Sequence, residues 1–220
     1  MRTKTLEQNS AQDFAGLYVD QFQKLRNGNM TFEQVKWFNN LSFEQREKLM
    51  GKLVKIEHPK MKFTDSNIII GELVAGYNPQ QYFTKNKKVN YWRSDNFNQH
   101  VLNPAKTVNN LPEMNFSKYK FTETIYDKEI MEHFQISESM GLMTREEILW
   151  TIASLTSKQP KGEAGVLLSN GYSTIIGYML CDDGVVRAVN VYWNSDYAEW
   201  YCNCNDLDYW NAGYGMLSRN

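Results

Sequence analysis

Two cysteines one residue apart, Cys202 and Cys204, have a type and spacing that could support chemistry. They lie in the stretch EWYCNCND, between a tryptophan and two acidic residues. Such a pair could bind a metal, exchange a disulfide or face the core from a strand. On a strand their Cα atoms are about 6.6 Å apart, at the strained edge of disulfide geometry. Structural zinc needs about four ligands, and the three histidines are scattered. We therefore expect buried, inert thiols and no metal.

Two acidic residues follow the cysteines, and the spacing of Asp206 and Asp208 is one with which some transferases hold a divalent cation. Together with Glu199 and Arg187, they could support acid–base or metal-assisted chemistry. The competing interpretation is a solvated turn after the last strand. The sequence contains none of the motifs GxGxxG, GxxxxGK[ST], GxSxG or HExxH, so it assigns no catalytic residue and no cofactor. Enzymatic activity stays open as an alternative, and a non-enzymatic protein is favoured.

A third cluster combines positive charge with stacking surface in the stretch TKNKKVNYWR, residues 84–93. Single-stranded nucleic acid favours this mixture, although lysines also protect edge strands from pairing with other chains. The candidate nucleic-acid residues are Lys85, Lys87, Lys88, Trp92 and Arg93. Because 24 basic residues face 25 acidic ones, the chain lacks an overall positive field. Nucleic-acid binding is therefore the second alternative function and is not the expected one.

The last fifty residues are rich in tyrosine and tryptophan. These side chains can fill a core in which aliphatic residues are scarce, or they can form a partner-binding surface, where Tyr and Trp are enriched. The candidate binding residues are Met179, Arg187, Tyr192, Tyr201 and Trp210. The expected partner is another protein or a second copy of this chain.

The elements that must position these residues are clearest after residue 121. A capping box at Thr144 and Glu147 opens a helix that ends before Pro160. The stretches STIIGYMLC, VVRAVNVYW and AEWYCNC then predict three strands. A two-residue turn at Asp183-Gly184 joins the first two strands, and residues 194–197 join the second and third.

These turns fix which face each strand residue takes, since side chains alternate along a strand. The main core face then carries Tyr178, Leu180 and Cys202, with Cys204 opposite Arg187 near the strand end. The second face carries the residues Ile175, Met179, Cys181, Ala188, Tyr192 and Tyr201. This face is apolar enough to need a cover, from the middle of the chain or from a partner. With Cys181 on the second face, a site made of all three cysteines is not expected.

The predicted fold class is α+β, with an N-terminal helical bundle followed by an antiparallel sheet packed against a helix. The sheet is a three-stranded meander or larger. The domain boundaries are a helical bundle at 1–58, an irregular middle segment and connector at 59–120, and an α+β domain at 121–220. The bundle rests on apolar helical spacing from Gln12 to Leu25 and on two capping boxes in the repeated stretches TFEQ and SFEQ.

The order of elements from about Thr144 onward resembles an uncharacterised family of small bacterial proteins, known mainly from uncultured bacteria. The matching stretches are SKQPKGEAGVLLSNGYSTI, VRAVNVYW, EWYCNCNDLDYWNAG and the final SRN. Upstream, SDNFNQHVL and TFEQVKWFNNLSFEQREKL are also similar to it. The stretch YSTIIGYM departs from the aromatic strand expected there. The resemblance implies no activity and no site residues.

The N-terminus lacks the apolar region of a signal peptide, and no apolar stretch reaches about 18 residues. Three cysteines, an odd number, fit a reducing compartment better than a disulfide framework. We therefore expect a cytoplasmic, non-enzymatic interaction protein without membrane contact.

Overall fold

The computed structural model describes residues 58–85, 88–137 and 141–220, together with residues 31, 33, 36 and 40. The chain divides into two units, Met1–Ile56 and Glu57–Asn220, and the fold described below is that of the second unit. The helical bundle predicted for residues 1–58 lies almost wholly outside the described residues.

The described residues of the second unit form nine strands, four short or medium helices and one π-helix. The strands are β1 (Met61–Ile70), β2 (Tyr91–Arg93), β3 (Met114–Phe121), β4 (Ile125–Tyr126), β5 (Thr174–Leu180), β6 (Val186–Asn194), β7 (Glu199–Asp206), β8 (Tyr209–Trp210) and β9 (Gly215–Arg219). The helices are α1 (Pro79–Lys85), α2 (Asp95–Phe97), α3 (Asp127–His133) and α4 (Arg145–Lys158), and the π-helix is Asn98–Leu102. Within the described residues, none of the helices has the length and apolar character needed to cross a lipid bilayer.

Seven strands form one mixed sheet in the order β1-β3-β9-β5-β6-β7-β2, and β4 and β8 form a separate antiparallel pair. The pairs β5–β9 and β2–β7 are parallel, and the other pairs of the large sheet are antiparallel. The predicted fold class, a helical bundle followed by an antiparallel sheet, is therefore wrong. Hairpin signals in a sequence report only neighbouring strands, whereas both parallel pairs join strands that are far apart in the chain.

The range 59–120, interpreted from the sequence as an irregular middle segment, contributes β1, β2 and β3 to the same sheet as the C-terminal strands. Strand β3 pairs with both β1 and β9. The first half of β3 lies in the stretch 103–117, whose prolines and asparagines indicate a connector. The strand is stabilised by burial of its side chains, among them Met114 and Phe116, which complete the core.

Two hydrophobic cores lie on opposite faces of the sheet. On the main face, helix α4 packs the side chains of Ile148, Leu149 and Ile152 against strand residues such as Val189 and Val191. On the second face, the β4–β8 pair and helix α3 cover a smaller core. Its strand residues are Ile175, Tyr178, Ala188 and Met216, and its covering residues include Ile125, Ile130 and Trp210. This cover extends over only part of the second face.

Helix α4 begins where the sequence predicts. The Thr144 hydroxyl accepts a hydrogen bond from the Glu147 backbone N–H at 3.2 Å, and the Glu147 carboxylate accepts one from the Thr144 N–H at 2.9 Å. These two bonds satisfy donors that have no partner inside the first helical turn. The residue before the cap is joined to β5, because the Met143 backbone N–H donates to the Tyr178 carbonyl at 2.9 Å.

The register of β6 and β7 differs from the predicted one by two residues. Arg187 lies opposite Asp206, and Val189 lies opposite Cys204, because the turn occupies residues 195–198. Ala198 closes that turn with φ +52°, a left-handed conformation that propensity alone does not indicate. A shift of two residues keeps every side chain on its predicted face.

The register of β5 and β6 differs from the predicted one by one residue, which exchanges the faces of the β5 residues after a bulge between Ile175 and Gly177. Leu180 lies opposite Val186 instead of Arg187. The Cys181 N–H donates to the Val185 carbonyl at 2.9 Å, so the turn has three residues, 182–184, instead of the two of a type I′ turn. The predicted faces of Tyr178, Leu180, Met179 and Cys181 are therefore wrong: Tyr178 lies in the second core, while Met179 and Cys181 lie in the main core.

Candidate functional site

Three aromatic side chains lie side by side across β6, β7 and β2 on the second face. Tyr192 is opposite Tyr201, and Tyr201 is opposite Trp92. The rings of Trp92 and Tyr201 stack with centroids 4.6 Å apart and planes at 21°, and those of Tyr192 and Tyr201 are 5.0 Å apart. Tyr197, from the turn after β6, lies 6.4 Å from Tyr201. We call these four residues the aromatic surface.

Among the described residues, the β4–β8 pair and α3 cover one part of the second face, and the aromatic surface lies on the other part. Trp92 is 43% exposed and Tyr197 is 68% exposed, while Tyr192 and Tyr201 are half-buried by their neighbours. The expected cover of this face therefore comes from residues 125–133 and 209–210 and not from the middle segment, and it stops short of the four rings.

The charge near the aromatic surface is negative. Burial and the neighbouring Tyr197, Glu199 and Asp196 together raise the pKa of Tyr201, in that order of size. These two acids belong to the β6–β7 turn and the first residue of β7. A ligand that stacks on these rings thus meets carboxylates at their side.

The basic residues of the nucleic-acid cluster do not accompany Trp92. Arg93 takes the opposite face of β2, where its guanidinium donates a hydrogen bond to the carbonyl of Phe83 at 2.6 Å. Lys88 lines a cavity beside Tyr82, on the side of the main core. Lys87 and the side chain of Lys85 lie outside the described part of the chain. The described part of this cluster thus separates the stacking ring from its cations.

The other three predicted binding residues lie inside the protein. Met179 is in the main core. Trp210 is buried in the second core and donates a hydrogen bond from its indole N–H to Asp127 at 2.7 Å. Arg187 is buried and forms 2.8 Å ion pairs with Asp183 and Asp206.

The carboxylates proposed for an enzyme do not converge. Asp206 is paired with Arg187 at one end of β7, and the backbone N–H of Asp208 donates to Asp127. Glu199 begins β7, about 23 Å from Asp206 at the rise of an extended strand. Glu199 also lies on the other face of the sheet from Arg187. A shared site for all three acids is therefore excluded by the length and register of β7.

A surface cavity of about 710 Å³ lies between α1, the loop before it and the end of α4. Its volume falls in the range of small-molecule pockets. It is lined by Gly76, Tyr77, Asn78, Gln81, Tyr82, Lys88, Val89, Ser157 and Pro160. This set of lining residues contains no carboxylate, histidine or cysteine. The hydroxyls of Tyr77 and Tyr82 donate to carbonyls of α4, at 3.2 and 3.3 Å, which makes the wall of the cavity part of the core packing. No sequence motif marks this cavity.

Comparisons of the chain with protein-family models, curated proteins and solved structures gave no match. The resemblance to a family of small bacterial proteins therefore stays a prediction. What the protein does has to be inferred from the geometry of its surfaces and clusters.

Proposed function

We propose that this chain is a non-enzymatic interaction protein, and that the aromatic surface binds a basic segment of a protein partner. The observation that carries the proposal is the row of Tyr192, Tyr201 and Trp92 on an uncovered part of the sheet, beside two acids. Tryptophan and tyrosine are enriched among the residues that dominate binding energy at protein interfaces. Rings already held against one another lose little conformational freedom when a partner binds.

The charge of the surface selects the partner's chemistry. An arginine or lysine side chain is attracted to the face of an aromatic ring, and Asp196 and Glu199 would add an ion pair. A nucleic-acid backbone would be repelled by the same carboxylates. A second copy of the chain, docked through this surface by a two-fold axis, would bring identical acids together. A basic segment of a different protein therefore fits the surface best.

A cytoplasmic location is part of the proposal. All three cysteines are free thiols, as expected where thioredoxin and glutathione keep thiols reduced. Support for this location comes from cysteine usage.

The proposal is tested by selecting binders from a random peptide display library on the immobilised full chain. We expect peptides rich in arginine and lysine to be enriched on the wild-type protein. Trp92→Ala and Tyr201→Ala should each weaken a selected peptide by at least about tenfold, the effect of a modest hot spot. Tyr126→Ala is the matched control, because Tyr126 is 55% exposed but belongs to the separate β4–β8 pair.

Three results would contradict the proposal. One is a selection that enriches no peptide, and another is one that enriches acidic or purely apolar peptides. The third is binding that survives Trp92→Ala and Tyr201→Ala as well as it survives Tyr126→Ala. The double variant Asp196→Asn and Glu199→Gln separates charge from stacking, because it should weaken basic peptides while leaving the rings in place.

A further inference from the structure

A cluster of metal-ligand side chains lies at the end of the sheet opposite the turn that bears Tyr197. The turn between β5 and β6 supplies Cys181 and Asp183, and the π-helix supplies His100. One nitrogen, one sulfur and one oxygen atom of these residues all lie within 4.8 Å of one another. The His100 Nδ1 atom is 4.0 Å from the Asp183 Oδ2 atom. Two ligands of tetrahedral zinc are about 3.3–3.8 Å apart, from metal–ligand distances of 2.0–2.3 Å.

The cluster forms because the register of β5 differs from the predicted one. The sequence predicts Cys181 on the second face, but the change of register by one residue places it in the main core. Cys204 is buried in the same core, but the group whose ligand atoms lie within 4.8 Å of one another consists of His100, Cys181 and Asp183.

We propose that His100, Cys181 and Asp183 bind one Zn²⁺ ion, which ties the π-helix to the turn between β5 and β6. One imidazole nitrogen, one sulfur and one carboxylate oxygen form a donor set that suits zinc, and a water molecule would complete the tetrahedral geometry. The site is separate from the aromatic surface and does not depend on the proposed function.

The charge around the cluster fits a bound dication. The Cys181 thiolate and the Asp183 carboxylate carry two negative charges, which zinc neutralises. The Nη1 atom of Arg187 is 2.8 Å from Asp183, and its Nε atom is 2.8 Å from Asp206. The charge of Asp206 therefore balances that of Arg187. Outer partners of this kind orient metal ligands and tune their basicity.

The backbone that carries His100 is a second, independent observation. Residues Asn98–Leu102 form a π-helix, a geometry that is rare and occurs frequently at functional sites. The His100 carbonyl accepts a hydrogen bond from Arg145 Nε at 2.9 Å, so the turn is anchored to α4. A π-turn at this position places the imidazole over the hairpin.

The test is a titration of the metal-free full chain with Co²⁺, followed by displacement with Zn²⁺. We expect one Co²⁺ per chain, with a sulfur-to-cobalt charge-transfer band and the intense visible bands of tetrahedral coordination. Cys181→Ser and His100→Ala should each weaken Zn²⁺ more than about 100-fold, beyond the 10–100-fold effect of outer-shell changes. Zn²⁺ should raise the melting temperature of the wild type and not of these two variants.

Cys202→Ala is the matched control, because Cys202 is a buried cysteine of the same core as Cys181 but is not a member of the cluster. This variant should keep the cobalt spectrum and the stabilisation by zinc, even if it melts at a lower temperature. The proposal is overturned if Co²⁺ shows only weak octahedral bands. It is also overturned if Cys202→Ala loses Zn²⁺ as completely as Cys181→Ser, or if Cys181→Ser, shown by circular dichroism to be folded, binds Zn²⁺ like the wild type.

Discussion

A buried carboxylate, Asp127, joins three separate elements beneath the second face of the sheet. It is 1% exposed, and its Oδ1 atom accepts hydrogen bonds from the Tyr178 hydroxyl at 2.5 Å and the Trp210 indole N–H at 2.7 Å. Its Oδ2 atom accepts one from the Asp208 backbone N–H at 2.8 Å. We expect Asp127→Asn to destabilise the fold, because the amide offers one acceptor oxygen where the carboxylate offers two.

The loss of stability in Asp127→Asn follows from the number of hydrogen-bond donors around this side chain. In either orientation the NH₂ group of the new amide faces a donor that loses its partner, and in the better orientation this donor is the part-buried Asp208 backbone N–H. A buried donor without a partner costs about 1–3 kcal/mol, so Asp127→Asn should lower the free energy of unfolding by an amount near the lower end of that range. Tyr178→Phe removes one of the three donors and should cost a similar amount. Tyr126→Phe, at the exposed residue before Asp127, should change stability by less than about 0.5 kcal/mol.

The pH dependence supplies a second readout. Burial raises the pKa of Asp127 above its ordinary value of 3.8, although hydrogen bonds from Tyr178, Asp208 and Trp210 oppose the increase. A raised pKa means that the folded state holds the proton more tightly than the unfolded state. The stabilisation is then complete below pH 3.8 and is lost as pH rises through the folded-state pKa. The difference in free energy of unfolding between the wild type and Asp127→Asn should therefore become smaller as the pH rises from 3.8 through the folded-state pKa of Asp127.

The assay is urea unfolding followed by circular dichroism, between about pH 3 and pH 8, with the slope m checked for constancy. An Asp127→Asn variant as stable as the wild type at every pH would refute the assigned network. If this difference in free energy of unfolding increased with rising pH, the hydrogen bonds to Asp127 would have a larger effect on its pKa than burial has, and the pKa would be lowered.

Gly162→Ala should cost about 2–5 kcal/mol, because Gly162 has φ +69° and a Cβ atom there would lie 2.2 Å from the Trp193 ring, adding overpacking to backbone strain. Gly171→Ala is the control with φ +81° and no neighbour within 4 Å, and urea unfolding should show only the strain, about 1–2 kcal/mol. Since all three cysteines are buried, alkylation followed by mass spectrometry should be slow for each until the protein unfolds, and a fast native thiol would contradict the packing. Cys202→Ser should lower the unfolding free energy by about 1–3 kcal/mol, because the hydroxyl enters an apolar site, and a cost near zero would show that it finds a partner. A single-stranded oligonucleotide should show no binding at physiological salt in fluorescence anisotropy, and submicromolar affinity would reverse this expectation.

Local signals in the sequence predict the elements that depend on local interactions. The capping box of Thr144 and Glu147 marks the start of α4 because both hydrogen bonds form within four residues. Alternating apolar residues mark β5, β6 and β7. Strand β2 pairs with β7, more than one hundred residues later in the chain. Strand β9 pairs with β5, about forty residues earlier. No short sequence pattern specifies pairings at such separations.

The aromatic surface could be predicted only in part, because only some of its residues are brought together by local interactions. Tyr192 and Tyr201 share a face in any register that differs by two residues, so the error in the β6–β7 turn does not separate them. Trp92 joins them only through the parallel pairing of β2 with β7. The metal cluster depends on Cys181, whose face was assigned from a two-residue turn. A single additional turn residue reverses that face, and the sequence gives no measure of turn length at Asp183-Gly184.

The position of β9 has a consequence for how the sheet is assembled during synthesis. Gly215–Arg219 lies between β3 and β5, so within the large sheet it joins the β1–β3 pair to the β5–β6–β7–β2 group. Until residue 219 has left the ribosome, each group presents an open inner edge, and such edges pair readily with other chains. Sheets with distant partners also form slowly. The nascent chain is therefore most exposed to aggregation just before these last strand residues emerge.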